Sequence, residues 1–90
     1  MARHLSAMKR DRQNKKRRVR NQSRKTRVKN VVREVRQALA KKDAASAETA
    51  LTKAAPIIAQ VAGKGTLHWR TAARKISRLT RQVNALKAAQ

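Results

Sequence analysis

The sequence predicts an all-α protein: a three-helix antiparallel bundle with a long, overhanging first helix. Three observations carry this. Only two glycines and one proline punctuate 90 residues, and no stretch alternates as a half-buried strand would. Apolar residues recur at helical spacing in three separate segments. The apolar material is mostly Ala with Val, Leu and Ile; Trp69 is the sole aromatic, and Phe and Tyr are absent. Such a set suits close helix–helix packing in one small domain over residues 1–90, with little apolar area to bury.

The first helix is expected over 6–40, with Ser6 as its N-cap and a flexible start over 1–5. Val28, Val31, Val32, Val35 and Leu39 fall within about 100° of arc, a core-facing stripe. The line that continues this stripe backwards reads Arg24, Arg17 and Arg10, at seven-residue steps from Val31. One helix face therefore passes from valine to arginine just before Val28. From Lys9 to Arg27, 11 of 19 residues are Lys or Arg, Asp11 is the sole acid and Val19 the sole large hydrophobe. These cations occupy nearly every azimuth, so the stretch projects from the body instead of packing on it. Self-repulsion opposes its helix in the free chain, and neutralising phosphates favour it.

A second helix is expected over 43–62, opened by Asp43 and lined by Ala44, Ala47, Leu51, Ala54, Ala55, Ile58 and Ala62. Pro56 should kink or split it near Lys53–Ala55, because proline removes a backbone donor. Lys41-Lys42 form the first turn, and the two glycines of Gly63-Lys64-Gly65 supply left-handed angles for the second. The third helix is expected over 66–87, with Ala72, Ile76, Leu79, Val83 and Leu86 inward and Arg70, Arg74, Arg78 and Arg81 outward.

Charge sets the function class. With 25 Lys and Arg against four acids, the formal net charge is +21. Residues 1–36 carry +13, residues 37–62 carry +1 and residues 63–90 carry +7. A chain so charged calls for a polyanion. The cationic run lacks the large hydrophobes of a membrane-surface helix, and no apolar run exceeds three residues. No membrane association or secretory signal is expected, and a cytoplasmic location is. Catalysis and metal binding lack support: four scattered acids, no Cys, and His4 and His68 far apart. No cofactor and no small-molecule substrate are expected.

Folded RNA is the expected ligand. Lys9, Arg10, Arg12, Lys16, Arg17, Arg20, Arg24, Lys25 and Arg27 are candidates to clamp phosphates, with Ser6, Asn14, Asn21 and Ser23 adding neutral hydrogen bonds to sugar or phosphate. Lys64, His68, Trp69, Arg70, Arg74, Lys75 and Arg78 form a second candidate surface. Trp69 borders the third stripe, which leaves two readings: partial packing against the core, or stacking on a base or ribose. The rival function is a nucleoid-type or histone-like protein that condenses DNA without sequence preference. No helix-turn-helix, zinc finger or zipper of adequate length accompanies the basic run.

Several segments go beyond composition. Ser6-Ala7-Met8-Lys9-Arg10, with Arg12, Lys16, Arg17, Asn21, Ser23, Arg24, Lys25 and Thr26, resembles the start of the bacterial small-subunit (30S) ribosomal protein S-twenty family. Ala54-Ala55-Pro56-Ile57-Ile58 is similar to its middle. The most specific likeness is Lys64-Gly65, Leu67-His68, Ala72-Ala73-Arg74-Lys75 and Ser77-Arg78-Leu79. Trp69-Arg70 departs from the Lys-Asn that usually follows the family's histidine. The resemblance implies a three-helix bundle that binds 16S ribosomal RNA directly, early in small-subunit assembly. It also implies contacts with the 5′ domain and with the long stem near the 3′ end.

Overall fold

A computed structural model describes the backbone of residues 2–90 and the side chains of residues 6–90. Three helices follow in order: α1 (Ala2–Ala40), α2 (Ala44–Gly63) and α3 (Trp69–Ala89). No strand occurs among the described residues. The flexible start expected over residues 1–5 falls on Met1 and on side chains outside the described residues. Helix α1 already runs from Ala2, so Ser6 lies within it and is not its N-cap.

The core gathers Val28, Val31, Val32, Val35 and Ala38 of α1, Ala47, Ala54, Ile58 and Val61 of α2, and Ala72, Leu79 and Val83 of α3. Leu39, Leu51, Ala62, Ile76 and Leu86 pack against it half-buried. Ala38 therefore takes the inner position expected of Leu39, and Val61 that expected of Ala62. Small side chains let the helices approach closely while burying modest area each. Helix α2 lies between the other two, which touch each other little.

The first turn is built by a reciprocal set of caps. Lys42 has φ 55, the left-handed region. Its N–H donates to the Leu39 carbonyl at 3.0 Å, and the Asp43 N–H donates to the Ala38 carbonyl at 3.1 Å. These are the two bonds of a Schellman ending. Asp43 then opens α2, its carboxylate accepting from the Ser46 N–H at 3.2 Å and the Ser46 hydroxyl at 2.7 Å. Those hydrogen bonds to Ser46 hold the Asp43 carboxyl below its ordinary range.

At the second turn only Gly65 takes a positive φ, 79°, and its N–H donates to the Ala62 carbonyl at 3.0 Å. Gly63 is the last residue of α2 and supplies no left-handed angle, contrary to expectation. Pro56 does not split α2, which continues through it. Thr52 and Pro56 are both exposed, so water can satisfy the Thr52 carbonyl that proline leaves without a donor. Helix α3 begins at Trp69, later than expected, because His68 is its N-cap: Nδ1 accepts from the Arg70 N–H at 3.1 Å.

Two acids join helices. Glu34 of α1 pairs with Lys53 of α2 at 3.4 Å, and Glu48 of α2 with Lys87 of α3 at 3.0 Å. Both pairs cross between helices. Gln90 Nε2 donates to the Lys42 carbonyl, bringing the end of α3 back to the first turn. The bundle thus spans roughly the second half of α1, and the rest of α1 overhangs it. The principal extents are 68 × 21 × 14 Å and the radius of gyration is 18.1 Å, against about 12 Å for a compact domain of this length.

Candidate nucleic-acid interface

The overhang is an unshielded cationic rod. Every side chain from Ser6 to Ser23 is exposed, which places Lys9, Arg10, Arg12, Asn14, Lys16, Arg17, Arg20 and Asn21 in water. Lys15 and Arg18 are exposed on the same rod and join the candidates, although nothing in the sequence singles them out. Lys25 and Arg27 are exposed beside the start of the core. Cations at all azimuths allow phosphates to approach from more than one side, which a one-faced helix cannot offer.

Arg24 stands apart. It is half-buried, and its guanidinium donates to the Thr66 hydroxyl at 3.3 Å and to Asn21 Oδ1 at 3.5 Å. Thr66 in turn donates to Asn21 Oδ1 at 3.1 Å. The α1 stretch before Val28 therefore packs on its own protein at one place, contrary to the expectation that it packs nowhere. Asn21 and Arg24 hold the α2–α3 loop against the rod, while Arg10 and Arg17 on the same line remain exposed.

The second surface divides into two. Arg70, Arg74, Arg78 and Arg81 are exposed along α3. Lys75 is half-buried on another side, in an open groove between α1 and α3 that it shares with Val28, Lys29, Val32, Arg33, Arg36, Gln37 and Ala40. Lys29, Arg33 and Arg36 are cationic groups not anticipated from the sequence. Their signal is positional: they flank the valine stripe on α1, beside the approach of α3. An apolar floor between cationic walls can seat sugar and phosphate together. Lys64 and His68 are exposed near the second turn. Trp69 is 65% exposed, which removes the packing alternative.

The amino-acid sequence matches known proteins. The family model described as Ribosomal protein S20 covers residues 2–84. The chain belongs to the ribosomal protein S20 family. Among relatives named small ribosomal subunit protein bS20, that of Solidesulfovibrio magneticus is 54% identical over 89 residues, spanning 99% of this chain and 100% of the relative. That of Nitratidesulfovibrio vulgaris strain DP4 is 52% identical over 84 residues, 93% and 97% of the two chains. The Geobacter metallireducens relative is 45% identical over 86 residues, 96% and 99%. The resemblance read from the third-helix motif is thus correct. S20 proteins are structural ribosomal components and not enzymes. No group of His, Cys or acidic side chains that could hold a metal occurs among the described residues. No helix of those residues is long and apolar enough to cross a membrane.

Proposed function

We propose that the protein is a structural constituent of the small ribosomal subunit that binds 16S ribosomal RNA directly, neutralising and bridging its helices early in assembly. It works in the cytoplasm, bound to the ribosome. The observation that carries this reading is the α1 overhang of a ribosomal-family protein, exposed on every side from Ser6 to Ser23 with Asp11 its only acid.

Lys9, Arg10, Arg12, Lys16, Arg17, Arg20, Lys25 and Arg27 neutralise phosphates and release their counterions, so that crowded RNA helices can meet around the rod. Ser6, Asn14 and Ser23 donate to sugar or phosphate oxygens. Asn21 and Arg24 serve RNA through the edges of their groups not engaged with Thr66. Lys64, His68, Trp69, Arg70, Arg74, Lys75 and Arg78 engage a second RNA segment from the bundle. Specificity comes from RNA shape more than base edges, because the surface offers many phosphate binders and few edge readers. The family resemblance implies the 5′ domain and the long stem near the 3′ end as the two segments bridged.

Competition at moderate salt tests this. Unlabelled duplex DNA, at equal mass, should fail to displace a labelled 16S rRNA fragment that unlabelled fragment displaces readily. Equal displacement by DNA would favour the nucleoid-type condenser and sink the rRNA-specific reading.

A further inference from the structure

The single aromatic side chain of the protein is also the most exposed large hydrophobe among the described residues: Trp69 at 65%, ahead of Val19 at 62% and Met8 at 49%. Its neighbours in sequence, Leu67 and Ala72, turn inward to the core, while the indole stays outside. The bundle therefore makes little use of its largest apolar surface.

Two side chains frame that indole. The His68 ring lies stacked beside it, centroids 5.9 Å apart and planes inclined by 26°. The Arg70 guanidinium carbon stands 5.3 Å from the ring centroid, a cation–π distance. His68 is itself held in place, because its Nδ1 accepts from the Arg70 N–H at the helix start. An accepting Nδ1 leaves the proton of the neutral ring on Nε2, as a free donor.

The setting selects the occupant. Residues 63–90 hold seven Lys and Arg and no acid, and among the described residues only Lys87 of these cations meets an acid, Glu48, so an apolar protein partner beside Trp69 would have to desolvate unpaired cations. A nucleotide brings its own anion to the cations and a π-face to the indole. Bases inside a duplex present no free face, which leaves an unpaired one. Resting on the RNA-binding reading, we propose that Trp69, framed by His68 and Arg70, is a stacking site for one unpaired nucleobase, with the His68 Nε2–H donating to the sugar or phosphate of the same nucleotide. Stacking of this kind tolerates any base, since each offers a face.

Trp69 is the only tryptophan and there is no tyrosine, so the intrinsic emission of the full chain reports on this position. Transcribed 16S rRNA should quench that emission and shield it from acrylamide, while filter retention of labelled RNA follows binding independently. A fully paired RNA duplex, held through its backbone, should leave emission near that of the free protein. Trp69→Ala should weaken rRNA binding by about tenfold, the loss of one base stack, with helix content unchanged; Trp69→Phe should keep most of the affinity. Retention of rRNA without quenching, or equal quenching by the duplex, would overturn the base site and leave the RNA reading standing. Failure of the unaltered protein to retain rRNA would overturn both.

Discussion

The Thr66 hydroxyl donates to Asn21 Oδ1 at 3.1 Å, joining the α2–α3 loop to α1 ahead of Val28, the first core valine. Arg24 closes the same set from the α1 side. The overhang thus leaves the bundle from a fixed point instead of fraying at Val28. Thr66→Val keeps the side-chain shape and removes the hydroxyl. Amide exchange at Asn21–Arg24 should quicken in that variant, while the core amides of Val31–Val35 hold their protection. Unchanged exchange at Asn21–Arg24 would show that the contact does not restrain the rod.

Asp43 joins α1's ending to α2's beginning: its N–H donates to the Ala38 carbonyl, and its carboxylate accepts from Ser46, hydrogen bonding that lowers the carboxyl pKa below the ordinary 3.8. A lowered folded-state value means the cap is intact above the unfolded value and is lost as pH falls through the folded one. Asp43→Asn can still cap but does not titrate. Wild type should therefore lose melting temperature more steeply than Asp43→Asn as pH drops from neutrality into the strongly acid range. Parallel pH profiles would remove Asp43 from the acid response.

Lys42 is the one described non-glycine residue at positive φ, where a Cβ costs roughly 1–2 kcal/mol. Lys42→Gly should raise stability by up to about 1 kcal/mol after glycine's entropy cost. In thermal unfolding that is a gain of about 4–8 °C for a domain of this size. A lowered melting temperature would mean the lysine stem contributes more than its strained backbone loses.

The periodic features were legible from residues alone. Val28, Val31, Val32 and Val35 read as one face because helical geometry brings them together, and Ala72, Leu79 and Val83 did the same for α3. Asp43 read as a cap because its bond is local. Much of what escaped was not local. The Asn21–Thr66 bond spans 45 positions, and Lys29, Arg33 and Arg36 become one groove wall with Lys75 only when α3 lies against α1. The start of α3 was missed because His68 takes a role usually filled by Ser, Thr, Asp or Asn. Trp69 sat at the border of a stripe, where a small rotation decides between core and solvent.

Helix α1 is core at its end and, as proposed, RNA clamp at its start. Arg10, Arg17 and Arg20 are exposed and clear of the Thr66 contact, so replacing all three with Gln separates the two roles. The salt dependence of 16S rRNA binding measures this most directly. The slope of log affinity against log salt should flatten by roughly 2–3, close to one per phosphate contact removed, while the bundle melts as before. An unchanged slope would contradict the clamp.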